Sequence, residues 1–325
     1  MKRSDIIFFL CLLACLGAPL LAGNSGRQLG VEFTVTLTLA ALWNLLAGYA
    51  GIVSIGQQAF IGFGGYVLFA LVALGGMPVP FALVLVPVAA GLLGMVAAPL
   101  LFRLRGPQFA IGSWVFAEII RLTFAQIPAL GGGSGMSLPA AAVLAISPER
   151  STRLLIFYAL AALLALIVYG GSWLLLRSKL GLALRAIKDS EGAAASLGVD
   201  VRALKRNVYV VIAALTGLAG ALMFLNTVRI SPEAGFNVTE WTADIIFITV
   251  IGGIGRFEGP LIGCLIFFGL RTLFADYAAW YLIGVGIFAG AIMLLSPKGL
   301  SGAGSYIAAR MRSFELAPRA RQPKA

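Results

Sequence analysis

Residues 177–206 read RSKLGLALRAIKDSEGAAASLGVDVRALKR, a polar run between two long apolar stretches that constrains where the rest of the chain can lie. The run holds seven Lys/Arg (Arg177, Lys179, Arg185, Lys188, Arg202, Lys205, Arg206) against three acids (Asp189, Glu191, Asp200). Thirty residues this polar cannot rest in hydrocarbon, and their positive excess assigns them to the cytoplasmic side of a membrane. Leu180, Leu184, Ile187, Glu191, Ala194 and Gly198 recur at steps of three and four, which predicts one stripe of a helix. Ala193, Ala194 and Ala195 flatten part of its surface, and Gly198 suits a C-terminal stop. Two readings fit: a docking element for a partner, or a solvated loop with an amphipathic helix lying on lipid.

Composition supports the membrane setting. Sixty per cent of residues are apolar and eleven per cent charged, the balance of a polytopic membrane protein rather than of a soluble domain. The net charge of +11 gathers in a few loops and the tail, where membrane topology and anionic headgroups explain it without nucleic acid. There is no histidine, which removes histidine bases, ligands and pH switches. Cys11, Cys15 and Cys264 all lie in apolar runs, and no metal site is expected.

A span needs about 20 apolar residues. That rule predicts spans near 6–23, 33–49, 58–76, 80–102, 108–127, 153–176, 207–226, 240–256, 259–275 and 279–296. Residues 1–23 also fit a signal peptide, but a first span with a cytoplasmic start agrees better with the rest. Lys2/Arg3, Arg103/Arg105, the 177–206 run and the tail from Lys298 must share the cytoplasmic side, and ten spans with both termini inside satisfy all four. The expected fold is thus an all-α polytopic membrane protein of about ten transmembrane helices. Residues 1–300 form the membrane domain, with a coupling segment at 177–206, and 301–325 a basic cytoplasmic tail that contacts water or lipid headgroups. Two longer loops, 129–152 and 226–239, fall on the outside, where a donor protein would dock.

Three stretches carry the remaining information. Residues 42–67, LWNLLAGYAGIVSIGQQAFIGFGGYV, place six glycines with Ser54, Gln57 and Gln58 inside an apolar run. Glycine weakens a helix by roughly 1 kcal/mol relative to Ala. Either the helix breaks there and lines a translocation path, or small residues let helices pack closely. A second interrupted stretch, IGGIGRFEGPLIG at 251–263, falls in the later half, and paired interruptions point to a central pathway. Within 105–122, Glu118 and Arg121 stand three apart on one helical face, midway through the predicted fifth span. They either pair with one another or meet a zwitterionic substrate. Asp244 is the other acid within a predicted span, near its outer end.

No Walker A pattern and no nucleophile–base arrangement occur, so neither ATP hydrolysis nor an intramembrane enzyme is expected of this chain itself. An ion-coupled secondary transporter remains a reading from a different class, with Glu118 and Asp244 as its candidate coupling acids.

The order GYAGIVSIGQQAFIGFGGY, RGPQFAIGSWVFAEIIR, GGGSG, GLALRAIKDSEGAAASLGVD, GLAGAL, VIGGIGRFEGPLIG and SPKGL resembles the branched-chain amino acid ABC-importer permeases of the LivM type, from about Leu42 to Gly302. Glu191, Ala193, Ala194 and Gly198 match the "EAA" loop by which such permeases sit in a groove of the ATPase. The resemblance implies a second permease of the LivH type, two ATPase subunits, a periplasmic substrate-binding protein, a bacterial inner membrane and no cofactor. Arg256, Trp114 and the Gln57–Gln58 pair depart from the usual family residues. Those departures leave the substrate open among branched-chain or similar hydrophobic amino acids, urea, short amides and aromatic acids.

Overall fold

A computed structural model describes residues 3–21 and 23–274, with 284, 286 and 290 singly. The first half runs α1 (Arg3–Leu21), α2 (Asn24–Asn44), α3 (Gln57–Phe69), α4 (Val79–Leu101), α5 (Pro107–Ala125) and the short α6 (Ala140–Ile146). The second half runs α7 (Arg150–Arg177), α8 (Lys179–Asp189), α9 (Glu191–Ser196), α10 (Val201–Thr227), α11 (Pro232–Phe236), α12 (Asp244–Gly252) and α13 (Gly259–Leu273). π-helical turns extend α2 through Leu45–Tyr49 and α3 through Ala70–Leu74, and another, Val238–Ala243, leads into α12. Prolines open α4, α5, α11 and α13, where the missing N–H costs nothing.

The all-α membrane architecture expected from the sequence is present. Among the described residues, six helices are long and apolar enough to span: Asn24–Tyr49, Gln57–Leu74, Val79–Leu101, Arg150–Arg177, Val201–Thr227 and Pro232–Gly252. α5 makes a seventh if joined to Pro128–Ser134, from which it bends by 92°. α1 and α13 are apolar but shorter. Apart from the single residues 284, 286 and 290, the tenth predicted span, 279–296, lies outside the described residues, as does the tail. The predicted span 240–256 needs correction: the helical stretch begins at Pro232 and ends at Gly252. The polar loop after Thr227 ends earlier than its sequence predicts, because Ser231, which caps α11, starts a helix inside it.

Polar contacts sort the helix ends into two layers. On one side Asp5 of α1 pairs with Arg177 of α7, Lys188 of α8 reaches the end of α2, and Asn44 holds the 253–258 turn. On the other, Arg27 of α2 donates to the Ser151 hydroxyl of α7 at 2.8 Å, and Glu32 pairs with Arg271. The second side also carries β1 (Met136–Ser137) and β2 (Arg229–Ile230), an antiparallel pair in the register Met136↔Ile230. This ladder joins the two long loops assigned to one face by their sequence. The helices therefore run alternately up and down.

The core forms around α10, which packs on α2, α3, α4 and α7. Its contact with α3 is the closest: a β-carbon at Gly64 would lie 2.0 Å from the Gly217 carbonyl oxygen. The later glycines of the 42–67 run thus serve helix packing. Outward, α4 presents Phe81, Val84, Val88, Leu92 and Val96, each more than half exposed. Such a belt is an aggregation hazard in water and unremarkable in hydrocarbon.

Candidate functional site

The polar run folds as two helices rather than the single predicted one. Ser190 sits at φ −160°, ψ 110°, ending α8 and capping α9 by accepting from the Ala193 N–H at 3.3 Å. Serine competes for backbone hydrogen bonds in this way and breaks a periodic pattern that would otherwise run through. Gly181, Leu184 and Ile187 of α8 are buried, whereas Leu180 of the predicted stripe is exposed. In α9, Ala194 is 1 % exposed and packs inward, while Ala193, Ala195, Leu197 and Gly198 face out. Gly198 closes α9 at φ +84°, and Asp200 caps α10 by accepting from Ala203 N–H at 2.9 Å. Glu191 is committed to an ion pair with Lys205.

Lys188 connects this segment to the membrane helices. Its Nζ donates to the Gly48 carbonyl at 2.7 Å, at the π-helical end of α2. Asn44, 3 % exposed, binds the second glycine-rich break from the same place. Its Nδ2 donates to the Arg256 carbonyl at 2.8 Å and its Oδ1 accepts from Gly255 N–H at 2.7 Å. Gly48 fits against that turn only because it lacks a side chain: a β-carbon would stand 2.5 Å from Gly255 N and 2.7 Å from Asn44 Oδ1. Phe257 pins the turn further, packing on Phe8 (4.9 Å) and Tyr169 (5.7 Å). One polar junction therefore ties α8 to both interrupted stretches.

Residues 50–56 leave the helical path between α2 and α3; Ala50, Ile52, Ser54 and Gly56 of this non-helical stretch are buried in protein, while Gly51 and Val53 are exposed. Ser113 of α5 supports it, accepting from Ile55 N–H at 2.9 Å while donating to the Ala110 carbonyl at 2.8 Å. Ser54 is fully buried, and its carbonyl accepts from Trp43 Nε1 at 2.8 Å. Gln58 bonds the Thr242 hydroxyl through its side-chain oxygen. Gln57 is 3 % exposed, and its Nε2 has no hydrogen-bond partner among the described residues. Of the five candidate path residues, Ser54, Gln57 and Gln58 thus cluster at the break, packed against protein in this conformation, and Glu118 and Arg121 do not join them.

Glu118 and Arg121 lie elsewhere, in the middle and later part of α5. Arg121 Nη2 meets Glu118 Oε1 at 2.5 Å, and Nη1 lies 3.5 Å from Glu233 of α11. The predicted span 108–127 and the observed α5 nearly coincide, so the pair sits within the helix as expected. Their face is not sealed: Ile111, Trp114 and Ile119 are about half exposed on the same helix. Glu118→Gln and Arg121→Gln should each lower the amount of folded protein. The double change should recover roughly 0.5–3 kcal/mol of coupling relative to the sum. Full folded yield with lost transport in both single variants would make the pair a substrate contact instead.

Asn44, Lys188 and Leu197 were not singled out from sequence. Lys188 looked like one more positive charge in a basic loop, and Asn44 like an isolated polar residue. Leu197 does carry a signal in the sequence, an apolar residue in a polar run and off the helical stripe, and the structure leaves it 81 % exposed.

The profile of the family described as "Branched-chain amino acid transport system / permease component" matches residues 29–297, which include the polar residues of this junction. The high-affinity branched-chain amino acid transport system permease protein LivM of Escherichia coli is 26 % identical over 321 residues, covering 90 % of this chain and 74 % of its own. The LivM protein of Salmonella typhimurium is 25 % identical over 317 residues with the same coverage. A probable branched-chain amino acid transport permease protein LivH of Methanocaldococcus jannaschii is 28 % identical over 153 residues, 42 % of this chain and 45 % of its own. No solved structure matches the chain. The chain belongs to the branched-chain amino acid transport permease family and is a multi-pass membrane protein.

Proposed function

We propose that this chain is the membrane-spanning permease subunit of an ABC importer that moves branched-chain or similar hydrophobic amino acids across a bacterial inner membrane. It would work with a LivH-type permease, two ATPase subunits and a periplasmic substrate-binding protein. The family match supports the transporter class. The observation that carries the mechanism is the Lys188–Gly48 contact, through which a docked partner would pull on the membrane helices. Closure of the ATPase pair moves α8 and α9. Lys188 and Asn44 pass that movement to the breaks at 50–56 and 253–258, and the helices tilt between outward- and inward-open states. Ser54, Gln57 and Gln58 line the path when the break opens.

The orientation follows from charge. The side holding Arg177, Lys188 and Arg256 is cytoplasmic, with ten spans and both termini inside. A cysteine at Ser190 should resist membrane-impermeant thiol reagents added outside intact cells, and efficient labelling there would overturn this topology. In proteoliposomes, labelled leucine uptake should require ATP, the ATPase subunits and the binding protein. Uptake by this chain without them, collapsed by an ionophore, would identify a secondary transporter. Competition by urea, acetamide and phenylalanine sorts the substrates.

A further inference from the structure

The geometry points to a binding site for a two-chain anionic phospholipid in the groove between α4 and α7. The groove measures about 1200 Å³, beyond the ~300–1,000 Å³ of ordinary small-molecule pockets. Val84 and Pro87 of α4 form one wall, Leu160, Leu163 and Ile167 of α7 the other, and Leu222 of α10 the floor. Among the described residues no charged side chain lines it, so they offer a zwitterionic amino acid nothing to bind there. Helix α6 closes one end, on the same side of the molecule as the β1–β2 ladder.

The mouth supplies the charge. Arg153, Leu160 and Ile167 follow at seven-residue steps and so share one face of α7. Arg153 thus heads the stripe that forms the wall. Its Nη1 donates to the Ser147 carbonyl at 3.0 Å, which fixes the guanidinium at the seam between α7 and α6. From Arg153 to Ile167 the helix rises about 21 Å, more than half of a hydrocarbon core about 30 Å thick. An acyl chain lying on the stripe therefore places its phosphate beside Arg153 and its methyl end near the bilayer centre. A protein partner fits this groove less well than it fits α5, whose open face carries the Glu118–Arg121–Glu233 charges that lipid would not cover.

The test uses the full-length protein, washed in detergent after exchange into equal amounts of phosphatidylglycerol and phosphatidylcholine, with bound lipid counted by native mass spectrometry. Wild type should retain phosphatidylglycerol over phosphatidylcholine by about fivefold, the factor expected of one cation near a headgroup. Arg153→Gln should bring that ratio close to one without abolishing retention. Leu163 is 54 % exposed, so Leu163→Trp fills the groove without entering the core and should remove both lipids. Leu174→Trp, exposed on the same helix beyond the groove, should behave as wild type. A photo-crosslinker at position 163 should label lipid. Equal retention of the two lipids by wild type, undiminished lipid in Leu163→Trp, or a protein adduct at 163 would each overturn the assignment.

Discussion

Leu197→Arg is expected to abolish transport and ATPase retention while the permease still inserts at its normal level. Leu197 is 81 % exposed beside Gly198, at the end of a helix that buries only Ala194 against its own chain. Covering such a side chain with a partner is worth about 1.5–3 kcal/mol. Arginine forfeits that and leaves a charge without a partner in the contact, a further penalty of roughly 2–5 kcal/mol. At 1.4 kcal/mol per tenfold, affinity should fall by more than about a hundredfold. Leu197→Ala forfeits only the first part and should reduce co-purification by about ten- to a hundredfold. Ala194→Arg is unsuited to the same question, because Ala194 is buried and the change would damage the permease itself. Wild-type ATPase retention by Leu197→Arg would sink the docking role of α9 and reopen the secondary-transporter reading.

The parts of this fold legible in the sequence are those governed by bulk polarity. Long apolar segments had to be helices, and the basic 177–206 run had to leave the membrane. Nine of the predicted segments coincide with helical stretches of the described chain, although the one from 240 is displaced, α1 and α13 are shorter than a simple span, and α5 counts as one only with the bent segment that follows it. Positions decided by a single hydrogen bond were not legible. Ser190 breaks a clean periodic stripe because its side chain caps the next helix. The glycines between 48 and 65 share a composition but divide into two uses. Gly64 admits a neighbouring helix, and Gly48 admits a turn from residue 255, more than two hundred positions away. No local pattern distinguishes these, since the partner of each glycine is set by tertiary contact. The same holds for Asn44, whose importance lies in the backbone it satisfies rather than in its neighbours along the chain.

That junction gives the other large effect. Gly48→Ala places a methyl group 2.5 Å from Gly255 N, 2.6 Å from Gly255 Cα and 2.7 Å from Asn44 Oδ1. Two of those three atoms are backbone, in a turn anchored by Phe257, and the third belongs to a buried side chain already using both its polar ends. Overpacking of this kind costs about 1–3 kcal/mol, and each buried polar group that loses its partner about 1–3 kcal/mol more. Domains are held by only about 5–15 kcal/mol. Gly48→Ala should therefore reduce folded permease severely, with a depressed melting temperature in detergent. Asn44→Ala removes the same two bonds, so adding it to Gly48→Ala should cost much less than the sum of the single changes. Lys188→Met separates coupling from folding, because Lys188 is solvent-facing and its loss spares the Asn44 contacts. That variant should insert, bind the ATPase and hydrolyse ATP while transport falls. Wild-type stability in Gly48→Ala, together with wild-type transport in Lys188→Met, would show that the two breaks are not mechanically joined to α8.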